Sequence, residues 1–186
     1  CEVFTDCSLW GGAGLDWILM GPRNARGPLP EEHLGRQWRD PVVGPELRAL
    51  CLEVPAQLNA LFIADADDLR ELTQKTPALS DNYPKRLSSP FPRREHARVT
   101  YAPWRNARLT RKRFLSSRIV SRLWPEALRD ANGPYFEIEE TLTRFLLGEF
   151  QDPVARLQAV HQILAHSILR TPVLWLLNSG ASEQRA

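Results

Sequence analysis

The sequence is short of cysteine, of an initiator methionine and of any long apolar run, and each shortage excludes something. Its three cysteines, Cys1, Cys7 and Cys51, are an odd number without metal-type spacing, so no disulfide framework is expected and a reducing compartment is. No stretch reaches the roughly 18 apolar residues that a membrane-crossing helix needs, and no basic start leads into an apolar signal core. The expected location is the cytoplasm. Position 1 is cysteine, in a segment that already reads as a strand, so the sequence is expected to be the later part of a longer chain. A self-processed or lipidated Cys1 would need partners or a signal that the sequence does not display. Cys1 is therefore assigned no catalytic role.

A phosphate-cradling loop is lacking as well. Gly11-Gly12-Ala13-Gly14 is glycine-rich, but such a loop should open a helix whose N–H groups face the anion, and no helical pattern follows. The flanking runs, Val3 to Trp10 and Leu15 to Met20, carry β-branched, aromatic and aliphatic bulk, and Gly21-Pro22 stops the second. They predict a β-hairpin whose glycines take positive φ in the loop.

What is present points to one moderate core: the chain has 186 residues, of which 43% are hydrophobic. Pro30-Glu31-Glu32, Pro45-Glu46 and Pro55 each mark a helix start, the last opening a helix through Phe62, and Asp65 or Asp67 caps another that contains Leu69 and Leu72. From Glu31 to Asp81 there are ten acids against five Lys/Arg, a modestly acidic helical block. Between Pro77 and Pro103, five prolines and no sustained period predict a long irregular segment.

Within Lys85 to Arg122 stand twelve Lys/Arg against the single acid Glu95, a local charge of +11 in a chain whose net charge is +2. Phe91, Tyr101, Trp104 and Phe114 are interleaved, a composition that suits a polyanion surface, with cations on phosphates and rings on bases. Ordinary amphipathicity explains the same pattern: Arg108, Arg111, Arg118 and Arg122 can share one side of a helix that carries Leu115, Ile119 and Leu123 on the other. Three partners stay open, namely the acidic block or another protein face, an acidic membrane surface or small anion, and nucleic acid, which ranks behind the internal ion-paired face.

Trp124-Pro125 ends a helix, Pro134 starts one that runs to Gly148, and Asp152-Pro153 opens another. In the last, Val154, Leu157, Val160, Ile163, Leu164, Ile168 and Leu169 predict a core-facing stripe. His161 and His166 are five apart, off a common helix face, and no metal site is expected from them. Pro172 should end that helix, and the apolar run Val173 to Leu177 should pack on the core or on the portion before Cys1.

The run Val3-Phe4-Thr5-Asp6-Cys7-Ser8-Leu9-Trp10, a glycine-rich loop, then Leu15-Asp16-Trp17-Ile18-Leu19-Met20-Gly21 resembles the final strand pair of the polyamine aminopropyltransferase (spermidine synthase) family. The resemblance is closest to large bacterial forms fused to a transporter-like membrane half. Leu79-Ser80-Asp81-Asn82-Tyr83-Pro84 stands where that family has Leu-Thr-Asp-Asp-x-Pro, departing from it at Ser80 and Asn82. The likeness covers about residues 1–90, with a weaker echo from Phe114 to Phe136.

The resemblance implies an α+β, mainly α chain: a hairpin that is the edge remnant of a Rossmann-like methyltransferase sheet, followed by a helical appendage. Its division would be a synthase-like edge over 1–90 and a basic linker with helical extension over 91–186. It also implies that the donor, decarboxylated S-adenosylmethionine, is bound by the full-length parent upstream of Cys1, with no cofactor held in this chain. Asp81 and Tyr83 would then touch the polyamine acceptor, although Asp81 equally suits a turn cap. Cytoplasmic placement would include tethering through a membrane-embedded N-terminal half. Two functions follow. One is the C-terminal part of a synthase-like transferase, inactive alone; the other is a non-enzymatic module binding an anionic partner through Arg108, Arg111, Lys112, Arg118 and Arg122.

Overall fold

Strand β1 (Ser8–Gly11) pairs antiparallel with β2 (Trp17–Met20), Leu9 opposite Leu19 and Gly11 opposite Trp17, as the hairpin pattern predicts. A third strand, β3 (Phe62–Asp65), runs antiparallel along the other edge of β1, giving the order β2-β1-β3 with an irregularity between Leu9 and Trp10. This corrects the helix expected through Phe62: a 3-10 turn covers Pro55–Leu61 and the chain then extends. All four residues of β3 are buried, so no polar alternation marks it as a strand. This computed structural model describes residues 6–12, 17–22, 27–49, 52–75, 99, 102–131 and 134–165.

The rest of the described chain is mainly helical: α1 (Glu31–Arg39), α2 (Val43–Ala49), α3 (Ala66–Thr73), α4 (Ala107–Ser116), α5 (Arg118–Leu123), α6 (Glu126–Asp130), α7 (Tyr135–Leu146) and α8 (Pro153–Ala165). The Asp65 carboxylate caps α3 by accepting from the backbone N–H of Asp67 at 2.9 Å and Asp68 at 3.4 Å. The single helix expected across Arg108 to Arg122 is two, because Ser117 closes one and opens the next. Its N–H donates to the Phe114 carbonyl, while its hydroxyl accepts from Val120 N–H. Arg118 and Arg122 therefore do not extend the line begun by Arg108 and Arg111.

The main core unites both halves of the sequence. Ala60 and Phe62 pack with Ala107, Phe114, Ile119, Val120 and Phe136, and Trp10 and Trp124 close over them. Phe114 lies edge-on to Phe62 and Trp124 and tilted against Phe136. Asn59 is buried here without penalty, since its side chain donates to the Leu128 carbonyl and accepts from Trp124 Nε1. Described residues from both sides of position 90 thus share one core. Leu9, Ile63 and Ala64 form a second cluster, and Leu142 with Ile163 a third between α7 and α8.

Two expectations are corrected at this level. Val154 and Leu157 are exposed on α8, while Val160, Ile163 and Leu164 of the predicted stripe reach the core; Ile168 and Leu169 lie outside the described residues. Cys7 is buried and disulfide-bonded, contrary to the free thiol expected; Cys1 and Cys51 are the only other cysteines and lie outside the described residues. Among the described residues no helix is long and apolar enough to cross a membrane.

Candidate functional site

The Lys85–Arg122 segment supplies the candidate site, and the fold sorts its cations by what they touch. Arg105 is the deepest. It follows the 3-10 turn Ala102–Trp104 and is 3% exposed, with Nη1 3.3 Å from Glu139 Oε2 and 3.5 Å from the Ala60 carbonyl. Nη2 and Glu139 Oε1 are buried with no hydrogen-bond partner. Burial pushes the Glu139 carboxyl above its ordinary range, opposed by the attraction of Arg105. A pair this dry is costly to form and costlier to break by halves.

Gly11 makes room for it. A Cβ on Gly11 would stand 1.8 Å from Arg105 Nη2, so the glycine lets a guanidinium lie against the strand backbone. Gly11 belongs to β1 and has no positive φ, which corrects its predicted part in the hairpin loop. Next along α7, Glu140 takes the start of α4, accepting from Ala107 N–H at 2.9 Å and Asn106 Nδ2 at 3.3 Å. Asn106 caps the same helix through Leu109 N–H. Two successive glutamates thus hold the basic segment in place.

Arg113 is half-buried and also structural. Its Nε donates to the Ile63 carbonyl at 3.0 Å, its Nη2 donates to the Trp104 carbonyl at 2.9 Å, and its guanidinium lies over the Trp104 ring. Burial lowers its pKa against the pull of Asp68, whose own carboxyl burial raises. Arg118 contacts both Asp67 oxygens, at 3.1 and 2.8 Å, and Arg122 pairs with Asp6. The acidic block upstream is therefore an internal partner of the segment, one of the options left open by composition.

Three cations of the segment remain among the described residues; Lys85, Arg86, Arg93, Arg94 and Arg98 lie outside them. Arg108, Arg111 and Lys112 are exposed at helical spacing on α4, with no ion pair among the described residues, and line an open groove of about 500 Å³ with Leu115, Ser116 and Glu137. Of the rings expected beside them for base stacking, the two among the described residues are engaged elsewhere: Phe114 is in the core and Trp104 lies under Arg113. Phe91, Tyr101, Asp81, Tyr83 and His166 lie outside the described residues, while His161 is exposed on α8. Among the described residues no group of His, Cys, Asp and Glu side chains could hold a metal ion.

Sequence reasoning missed the Arg105–Glu139 pair, although a glycine inside a strand is a signal of close approach. Comparison with protein-family models, with curated proteins and with solved structures finds no match to this chain.

Proposed function

We propose that this chain is the C-terminal part of a spermidine synthase-like transferase, closing one edge of the parent's sheet and inactive alone. The observation that carries the reading is the free edge of β2. In the order β2-β1-β3 that strand pairs along its length with one strand only among the described residues, and Leu19 on it is 63% exposed, with Ile18 and Met20 also exposed. An unpaired, apolar edge is where a further strand adds, satisfying the backbone and covering the side chains. On this reading a Rossmann-like parent sheet continues from β2 and binds decarboxylated S-adenosylmethionine, while Asp81 and Tyr83 belong to the polyamine pocket. The same reading places the protein in the cytoplasm, tethered by a membrane half; the Cys7 disulfide counts against a reducing location.

The test is calorimetric titration of that donor into the longest natural form of the protein and into this chain. The longer form is expected to bind and this chain is not. Tight binding by this chain, or none by a longer form that carries the additional strands, overturns the reading.

A second reading is favoured by Arg108, Arg111 and Lys112, which have no ion pair among the described residues and suit an acidic protein face. The groove adds an apolar contact at Leu115 and offers no free ring among the described residues, so an acidic peptide fits it better than single-stranded nucleic acid. Reversing all three charges to glutamate is expected to weaken binding of a poly-glutamate peptide by about tenfold or more, since each exposed pair contributes roughly 0.2–1 kcal/mol. Retention on an immobilised peptide column, read as eluting salt, measures this. Equal retention of the native and reversed chains rejects the groove.

A further inference from the structure

A cavity of about 410 Å³ lies between the hairpin and α5, apart from the basic groove and from the buried ion pair. Its walls come from Ser8 and Trp10 of β1, Met20 at the end of β2, Leu29, and Leu123 and Trp124 at the end of α5. These segments are far apart in sequence, and named bonds hold them together. Leu29 N–H donates to the Leu123 carbonyl at 3.0 Å, and Arg122 pairs with Asp6 just before β1. The wall is thus tied on both sides.

The lining chemistry selects the occupant. Among the described residues no ionisable side chain lines the cavity. Both indole N–H groups are already used, Trp10 Nε1 donating to Ser8 Oγ and Trp124 Nε1 donating to Asn59 Oδ1, each at 2.8 Å. The two indoles stand 5.4 Å apart at 31°, a broad aromatic surface. Because Ser8 Oγ accepts from Trp10, its own proton is left to donate elsewhere. A charged ligand would lose its hydration there and gain no partner among the described residues, so an uncharged one fits this lining better than a polyamine or a phosphorylated compound. Pockets of a few hundred Å³ with apolar and aromatic walls and one or two placed polar groups are the usual form of small-molecule sites.

We propose that this cavity binds a neutral, ring-bearing apolar small molecule, its ring against Trp10 and Trp124 and a single acceptor facing Ser8. The site does not rest on the transferase reading, because that donor and acceptor are both charged.

The probe is N-phenyl-1-naphthylamine, a neutral two-ring fluorophore, titrated into the 186-residue chain. Its charged relative 8-anilino-1-naphthalenesulfonate serves as the control. Saturable binding at one site per chain is expected, with quenching of tryptophan emission, and the sulfonate should bind at least roughly tenfold more weakly. Leu29 is 43% exposed, so it can be changed without disturbing the core. Leu29→Trp should fill the mouth and Leu29→Asp should place a charge on the wall, each weakening the neutral probe about tenfold or more with circular dichroism unchanged. Where the tryptophan variant fails to fold, the aspartate variant decides. Absence of saturable binding, equal affinity for the sulfonate, or undiminished affinity in the folded Leu29 variants overturns the proposal.

Discussion

Replacing Arg105 with alanine is expected to lower the unfolding free energy by about 3–5 kcal/mol at neutral pH, the cost of stranding one member of a buried ion pair. The Glu139 carboxylate would keep its place in the core with no cation beside it, and the Ala60 carbonyl would lose a donor. The sign of the pH dependence separates this cause from a simple loss of volume. Burial already raises the Glu139 pKa above its ordinary 4.5, and Arg105 is the group pulling it down. In Arg105→Ala it rises further. A carboxyl raised in the folded state contributes stability that is full below its unfolded pKa and is lost as pH climbs through the folded value. The deficit against the native chain should therefore be smallest near about pH 4 and grow toward neutrality. Urea denaturation at the two pH values measures it, and adding Glu139→Gln to the variant should flatten the difference. A deficit constant across that range would show that packing volume alone is at stake.

Gly11→Ala is expected to cost about 1–3 kcal/mol, as overpacking of a closed site does. Taken alone, the clash looks easily relieved, since the atoms met are the tip of an arginine, at 1.8 Å for Nη2 and 2.6 Å for Cζ. A surface arginine would swing aside. This one is held by Glu139 and covered on all sides, so yielding means breaking the pair. The methyl group should then cost much less in the Arg105→Ala background, with a coupling of roughly 0.5–3 kcal/mol in a double-mutant cycle. Additive costs would place the strain elsewhere than at the guanidinium.

How much of this was legible from residue order depends on whether the signal was local. The hairpin was, because bulky β-formers flank a glycine cluster, and so were α1 after Pro30, α3 after Asp65 and α7 after Pro134. The strand Phe62–Asp65 was not, since a short run buried on both faces carries no period and looks like the helix turn preceding it. Arg105 was one cation among twelve, and its carboxylate partner stands 34 residues further on. Nothing in its neighbourhood distinguishes it from Arg108, which faces solvent. The break at Ser117 was overlooked because the apolar spacing of Leu115, Ile119 and Leu123 runs through it, although serine is a favoured N-cap. The charge count points to the basic segment, but which of its described cations lack an ion pair depends on where Asp6, Asp67 and Glu139 fall.

The placement of β3 bears on how the chain reaches this structure. Strand β1 can meet β2 as soon as residue 20 is made, but its other edge waits for Phe62–Asp65, and the ring cluster around Phe114 waits for Phe136. Pairings this distant along the chain close slowly, because a long loop must be ordered before any contact repays it. During synthesis the hairpin would therefore emerge with the β1 edge and one apolar face bare until the residues through Phe136 had followed it. That interval is when it would be most open to aggregation or to a chaperone.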